Sequence, residues 1–193
     1  PFSTPEPREP VRDEGDGVCI GGGFAGLLVG ARMREAGFDK IRLIDTAGDV
    51  GGVWYWNRYP EAKCDVESLC YLPLLEETGY FPKLRYSEAP EIYGHAQRIA
   101  KHFRLYDHSL FHTTVTEVSW DEASNRWHIH TDRDDHIVAQ FVVVAIGPMN
   151  TVKLPDIPGI ETFKGKSFHT SRWDYGYTGG SPTTSMDRLA DKR

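Results

Sequence analysis

The sequence has little cysteine and no excess of positive charge. Its three cysteines include no CxxC pair, which excludes a disulfide framework and the common cysteine-based zinc motifs. Lysine and arginine number 22 against 28 aspartate and glutamate residues, giving a formal net charge of −6. This acidic balance argues against nucleic acid or an anionic membrane surface as the main partner. With so few cysteines, a reducing cytoplasm is the expected compartment.

Long hydrophobic runs are missing as well. No stretch approaches the roughly 18 consecutive apolar residues that a membrane-spanning helix needs, so no segment is expected to cross a bilayer. Residues 1–15 are rich in proline and charged residues, and they lack the apolar segment of a signal peptide. They are therefore expected to form a flexible tail before a globular domain that begins at residue 16.

A strand, a glycine-rich turn, a helix and a second strand follow one another between residues 17 and 45. Residues 17–20 are an apolar run, residues 24–36 carry apolar side chains at helical spacing, and residues 40–45 form a second apolar run. This order is typical of a βαβ unit with parallel strands and a right-handed crossover. The sequence therefore predicts an α/β fold of the Rossmann type.

The turn after the first strand has the pattern Gly21-x-Gly23-x-x-Gly26. In this pattern Gly21 allows a tight turn, Gly23 lets the backbone approach a pyrophosphate, and Gly26 permits close packing of helix on strand. Phe24 and Ala25 begin the helix, whose N-terminus offers free N–H groups and a positive dipole end to phosphates. The pattern predicts a dinucleotide site, with a glycine-rich turn in another kind of α/β domain as the alternative.

An acidic residue follows at the spacing that such sites use. Asp45 stands 19 residues after Gly26, at the end of the second predicted strand. A carboxylate at that place accepts hydrogen bonds from ribose hydroxyls. It also repels a 2′-phosphate, so NADP is disfavoured here and NAD and FAD stay open.

The rest of the chain divides into a loop, a helix, three strands and a connector. Residues 46–75 form a long loop rich in glycine and aromatic residues, and loops of that length are uncommon without a function. Residues 90–105 predict an amphipathic helix, and residues 111–145 predict a three-stranded β-meander attached to the parallel sheet. The stretch 175–193 is expected to be a linker, because residues 175–185 are rich in glycine, serine and threonine.

Two segments carry a resemblance to a known family. Residues 51–71 read GGVWYWNRYPEAKCDVESLCY, and residues 163–174 follow the pattern F-x-G-x-x-x-H-x-x-x-W-D. The first resembles the flavin-contacting loop of class B flavoprotein monooxygenases, and the second is similar to the fingerprint of the Baeyer–Villiger monooxygenases. The resemblance covers residues 16–174 and implies the FAD-binding domain of a two-dinucleotide-binding flavoprotein, left incomplete in this chain.

The resemblance also implies roles for particular residues. Asp65 is expected beside the flavin and nicotinamide, orienting an arginine that activates the peroxide, although a surface or capping role is the alternative. His169 and Trp173 are expected to act through domain positioning and cofactor turnover. For the aromatic residues of the loop, ordinary packing is the alternative to covering the flavin. The further expected FAD contacts are Gly52, Val53, Trp54, Tyr59, Tyr71, Val115 and Gly147.

The activity that the resemblance implies is an NADPH- and O2-dependent conversion of ketones to esters or lactones through a flavin C4a-peroxide. No second GxGxxG follows Gly147, so the NADP-binding domain is expected in a missing part, on the same or a separate chain. Two alternatives stay open: an N- or S-oxygenating flavin-containing monooxygenase, which Trp173 disfavours, and a non-catalytic FAD-binding subunit of a split enzyme. His128 and His130 share a strand face, but no carboxylate or cysteine constellation supports a metal site there.

Overall fold

A computed structural model describes residues 3–149 and 151–192. One five-stranded sheet has the order β2-β1-β5-β4-β3. The strands are β1 (Arg12–Ile20), β2 (Ile41–Ile44), β3 (Val115–Asp121), β4 (Arg126–Thr131) and β5 (His136–Val144). β1 pairs in parallel with β2 and β5, whereas β4 pairs antiparallel with β3 and β5. The predicted parallel sheet with a β-meander is confirmed, and β5 belongs to both parts.

The helices lie between the strands and in the long loop. They are α1 (Phe24–Glu35), α2 (Val53–Trp56), α3 (Ser68–Tyr71), α4 (Leu75–Thr78), α5 (Ala89–His102) and α6 (Tyr175–Thr178). Short 3-10 turns occupy Leu105–His108, Ile160–Thr162 and Thr170–Arg172. Within residues 3–149 and 151–192, no helix is both long and apolar enough to cross a membrane.

The main core lies between the parallel strands, α1 and α5. Leu27 and Ala31 of α1 are fully buried there, together with Ala96 and Ile99 of α5. The buried positions of α5 recur at helical spacing, so one stripe of that helix faces α1 while the opposite face meets solvent. This packing fixes the N-terminus of α1 at the carboxyl end of β1, where the glycine turn lies.

The N-terminal residues are more ordered than the sequence predicts. The flexible tail expected over residues 1–15 is wrong for residues 12–15, because β1 begins at Arg12 and pairs there with His136 of β5. Arg8 also forms a two-pronged ion pair with the buried Asp135, with both N–O distances 2.6 Å. Charged residues at positions 12–14 and 16 hide the start of this strand in the sequence, since only residues 18–20 form an apolar run.

The buried carboxylate of Asp135 is held by several donors. Burial acts to raise its pKa, but hydrogen bonds from Arg8, Thr131 and the Val11 N–H outweigh burial and lower the pKa to about 2. The segment before β1 is thereby tied to the β4–β5 turn.

The predicted linker over residues 175–193 begins too early. Residues 175–178 form α6, whose first turn is capped by the Asp174 side chain accepting from the Tyr177 N–H at 3.1 Å. Thr178 is buried, and its carbonyl accepts from the Arg188 N–H at 3.0 Å. The Asp174 cap lets this polar stretch fold, which its composition alone does not indicate.

Candidate functional site

A cleft of about 270 Å³ opens at the carboxyl end of the parallel strands. It lies where the chain leaves β1 toward β2 on one side while β5 pairs on the other, the usual place for ligands in such sheets. Its walls are the glycine turn, the start of α1, the loop that begins at Gly51 and the segment after β5. Ten of the predicted site residues line it: Gly21, Gly23, Phe24, Ala25, Asp45, Gly52, Val53, Trp54, Tyr71 and Gly147.

A second cleft of about 150 Å³ continues from the first. The two share Gly21, Asp45 and Ile146 in their walls. Val115, the first residue of β3, lines the second cleft, as does the neighbouring Thr113. The two clefts therefore form one elongated groove along the ends of the strands.

Two glycines of the turn tolerate no side chain. Gly21 has φ +114°, and a Cβ there would lie 2.3 Å from the carbonyl oxygen of Ala145. A Cβ on Gly26 would lie 1.9 Å from the carbonyl oxygen of Gly21. The turn and the close packing of α1 on the end of β1 thus both depend on glycine.

Gly23 faces the second glycine loop across the floor of the first cleft. A Cβ on Gly52 would lie 2.8 Å from the Cα of Gly23, so the two backbones are in contact. The Gly51 N–H donates to the carbonyl of Gly22 at 2.8 Å, which joins the loops. Bare backbone from two loops therefore forms the narrow part of the cleft.

The N-terminus of α1 points into this narrow part. Its N-cap residue is Gly23, which has no side chain to accept from the first N–H groups, and its first turn carries no acidic residue. Phe24 and Ala25, the first helical residues, both line the cleft. Uncapped N–H groups together with the positive end of a 12-residue helix dipole favour an anion such as a pyrophosphate.

Asp45 joins the glycine turn to the end of β2. Its Oδ2 accepts from the Gly22 N–H at 2.6 Å, and its Oδ1 accepts from the Ala47 N–H at 2.8 Å. The Thr46 hydroxyl also donates to Oδ1, at 3.5 Å. A carboxylate offers about four acceptor positions, so Oδ2 keeps capacity for another donor. Because Asp45 lines both clefts, that capacity faces the groove.

Aromatic side chains form the opposite wall of the first cleft. The indole N–H of Trp54 donates to the Tyr71 hydroxyl at 2.7 Å. Tyr71 packs edge-on against Phe24 with 5.9 Å between ring centroids. Burial is the main cause that raises the pKa of Tyr71, and the nearby carboxylate of Asp65 adds to it. This wall is mostly apolar, and its rings are held by a hydrogen bond and an edge-on ring contact.

Two predicted residues of the loop do not line either cleft. Tyr59 is half-buried, and its carbonyl accepts from the Ala62 N–H in a turn, so its expected place over a flavin stays a prediction. Trp56 lines the first cleft, while Tyr55, which lies between Trp54 and Trp56, is buried against Tyr93. Asp65 is exposed on the loop before α3, beside the wall rather than in it.

His169 and Trp173, the two predicted residues of the fingerprint, form hydrogen bonds within residues 169–178. The Nδ1 of His169 lies 3.2 Å from the Ser171 N, which donates to it at the start of the 3-10 turn. The indole N–H of Trp173 donates to the Thr178 hydroxyl at 3.1 Å. Neither His169 nor Trp173 is among the residues that line the two clefts.

Sequence reasoning missed Arg172, which connects the fingerprint to the cleft. Its guanidinium carbon lies 4.0 Å from the ring centroid of Trp56, a cation–π contact. Burial lowers the pKa of Arg172. The Tyr175 hydroxyl donates to the Arg58 carbonyl and ties the same segment to the same loop. The position of Arg172 inside the fingerprint was the available signal, but spacing does not reveal its aromatic partner.

In the folded chain a third histidine, His136, lies beside His128 and His130 of the meander. His136 on β5 stacks against His130 and His128 of β4, with ring centroids 4.6 and 5.1 Å apart. Among the residues that the structure describes, no group of three or more His, Cys, Asp or Glu side chains has the arrangement of a metal site.

The groove fits a dinucleotide such as FAD. The groove begins at the apolar aromatic wall and continues past bare glycine backbone and the uncapped N-terminus of α1. It then passes the Asp45 carboxylate and ends in the second cleft at Val115. These parts match, in order, a flat ring, a pyrophosphate, a ribose and a second ring. A single phosphate or a small sugar would use only one of them.

The sequence profile of one family covers most of the chain: the pyridine nucleotide-disulphide oxidoreductase family matches residues 18–179. Pentalenolactone D synthase from Streptomyces exfoliatus is 55% identical over 100% of this chain and 33% of its own length. Baeyer-Villiger monooxygenase 4 from Dietzia sp. (strain D5) is 51% identical over 100% of this chain and 32% of its own length. The chain thus spans about a third of the length of the curated relatives it matches.

Solved structures agree with these relatives. The polycyclic ketone monooxygenase from Thermothelomyces thermophila aligns with 100% of this chain and 32% of its own, at TM-score 0.89 and 41% identity. A complex of OTEMO with FAD and NADP aligns with 86% of this chain and 33% of its own, at TM-score 0.74 and 33% identity. The chain therefore belongs to the pyridine nucleotide-disulphide oxidoreductase family, and within it corresponds to the N-terminal part of the Baeyer–Villiger monooxygenases.

Proposed function

We propose that this chain is the FAD-binding part of an NADPH- and O2-dependent monooxygenase that converts ketones to esters or lactones. The observation that carries the proposal is the contact of Arg172, inside the fingerprint, with Trp56 on the wall of the dinucleotide groove. It joins the two sequence features that resemble this family in one site. The names of the relatives support the ketone as substrate class.

Each part of the groove has a binding role in this proposal. The uncapped start of α1 at Phe24 and Ala25, with Gly23, holds the pyrophosphate of FAD. Asp45 accepts from the ribose hydroxyls, and Val115 lies on the adenine side. When bound, FAD supplies the electron transfer from NADPH and the reaction with O2, chemistry that no side chain provides.

The chain's own residues act by excluding water and placing charge. Trp54, Trp56 and Tyr71 cover the apolar end of the groove, so water is kept from the flavin ring. Asp65, exposed beside this wall, places a negative charge where it can orient an arginine of another domain. His169 and Trp173 act as positioning residues, because their hydrogen bonds fold the fingerprint that presents Arg172.

Two further proposals concern the surroundings of the chain. The remainder of the enzyme, on the same or a separate polypeptide, carries the NADP site and most of the ketone pocket. A cytoplasmic location is supported by the three cysteines, which are all free thiols.

The test is a side-by-side turnover assay of the natural full-length protein with NADPH and O2. The substrates are a small cyclic ketone, a polycyclic ketone and a thioether, with products identified by mass. We expect lactone from at least one ketone, with NADPH and O2 consumed together. Sulfoxide without lactone would replace the proposal with an N- or S-oxygenating enzyme. Bound FAD without any turnover would indicate a non-catalytic FAD-binding subunit.

A further inference from the structure

Asp49 is a half-buried carboxylate with four donors, and it is not among the residues that line the two clefts. Its Oδ2 accepts from the Tyr93 hydroxyl at 2.6 Å and from the Gln97 amide at 2.8 Å. Its Oδ1 accepts from the Tyr106 hydroxyl at 2.7 Å and from the Val50 N–H at 2.7 Å. All of its acceptor capacity is thus used by the protein.

Three of these four donors come from elements outside the long loop. Tyr93 and Gln97 lie on α5, and Tyr106 lies on the 3-10 turn that follows it. Burial acts against the charge of Asp49, but its hydrogen bonds outweigh burial and lower its pKa. The carboxylate therefore binds the loop to α5 as an anion.

The residues directly after Asp49 form one wall of the narrow part of the cleft. Val50 is fully buried, and Gly51 donates its N–H to the Gly22 carbonyl. The ring of Tyr93 lies against Gly51, where a Cβ would come within 2.8 Å of the ring. Gly52 then touches Gly23 across the floor. A shift of Asp49 moves this wall relative to the glycine turn.

We propose that Asp49 is a positioning residue for FAD binding, which holds residues 50–52 against the glycine turn and so sets the width of the cleft at the pyrophosphate. The inference rests on the proposed FAD site. It does not require that the bound flavin oxidise a ketone.

The test compares Asp49→Asn with wild type in the natural full-length protein. Asparagine keeps the size of the side chain but replaces one acceptor oxygen with an NH2 group. That NH2 group would face hydrogen-bond donors and could not accept from them. We expect FAD to bind about tenfold more weakly, measured by quenching of FAD fluorescence on titrating the apoprotein. We also expect the visible circular dichroism of the bound flavin to change, because the same loop continues into Val53 and Trp54.

Asp16→Asn is the matched control. Asp16 is also half-buried and accepts from the N–H groups of Asp39 and Lys40 at 3.0 and 2.8 Å, but it lies near the amino end of β2, away from the cleft. It should lower the melting temperature without changing FAD affinity or the flavin signal. Wild-type affinity in Asp49→Asn, or an equal loss in Asp16→Asn, overturns the inference.

If Asp49→Asn does not fold, the double variant Tyr93→Phe/Tyr106→Phe decides. It removes two donors and keeps both rings against their neighbours. Binding about threefold weaker or worse supports the inference, and unchanged binding overturns it. A wild type that binds FAD but oxidises no ketone removes the proposed activity and leaves this inference in place.

Discussion

Asp45 and Asp49 lie four residues apart just after β2, and they are hydrogen-bonded in different ways. Asp45 accepts two backbone N–H groups and keeps acceptor capacity that faces the groove. Asp49 accepts four protein donors and keeps none. A sequence shows two acids in one loop, but only the fold separates the one that can bind a ligand from the one that supports the loop.

Arg172 offers a test at the scale of one side chain. Arg172→Ala removes the cation–π contact with Trp56, worth about 0.5–1 kcal/mol. We expect faster FAD release and an altered flavin absorption spectrum, both measured on the holoprotein, with Arg172→Lys intermediate. Lys164→Ala is the control, because Lys164 belongs to the same segment but is exposed. Equal effects in the two alanine variants would contradict the assigned contact.

The individual site residues were predictable where a backbone pattern defines them. The three glycines of the turn and Asp45 were found from spacing, since the turn itself requires them. Which aromatic rings of the loop face the cleft could not be predicted, because the local course of the chain at α2 decides it: Trp54 and Trp56 line the cleft, whereas Tyr55 is buried. The pairing of Arg172 with Trp56 joins positions far apart in the chain, and one sequence carries no signal for it.

At the scale of an element, replacing a glycine by alanine should have opposite effects on stability in α1 and in α5. In Gly26→Ala the new methyl group meets the Gly21 carbonyl at 1.9 Å, so we expect a loss of about 3 kcal/mol in unfolding free energy. In Gly94→Ala nothing lies within 4 Å, so alanine should stabilise α5 by about 0.5–1 kcal/mol. Urea denaturation measures both. Similar changes in the two variants would show that helix propensity, not contact, dominates.

The Asp135 carboxylate, which holds the segment before β1, is expected to make the stability of the fold depend on pH. The pKa of Asp135 in the folded chain is about 2, below its ordinary value of 3.8. The charged carboxylate, held by Arg8, Thr131 and the Val11 N–H, therefore contributes stability above about pH 4, which is lost as the pH falls toward 2. We expect a contribution of about 2 kcal/mol.

Asp135→Asn tests this dependence. The variant should be less stable than wild type at pH 7, and the difference should narrow between pH 4 and pH 2. Denaturation curves across that range measure the effect, with Asp156→Asn, an exposed carboxylate, as the control. A difference that stays constant down to pH 2 would assign the loss to packing instead of charge.

The elements themselves were largely predictable, and their ends were not. Apolar periodicity indicated α1, α5 and the five strands. Polar residues conceal both β1 from Arg12 onward and α6, because pairing with β5 and the Asp174 cap stabilise them. Such contacts come from distant chain or from a single cap, which periodicity does not detect.

In the whole molecule, several large apolar side chains are exposed at the end of β5 and after it. Val144 is 66% exposed, Met149 69% and Phe163 64%. Exposed patches of this kind mark association sites. We expect residues 1–193 expressed alone to elute as oligomers and to bind a hydrophobic dye, whereas the natural full-length protein should bind less dye per chain. A monomeric fragment that binds no dye would contradict the prediction that these side chains form an association site.

The position of β5 between β1 and β4 has a consequence for folding. Arg12 of β1 pairs with His136 of β5, on the order of 120 residues later. Pairing over such a distance slows folding, because a long loop must close first. During synthesis β1 therefore cannot form its pairing with β5 until about residue 144 has been made. The part of the groove wall at residues 145–149 follows after that. Cofactor capture is accordingly a late event in the life of the nascent chain.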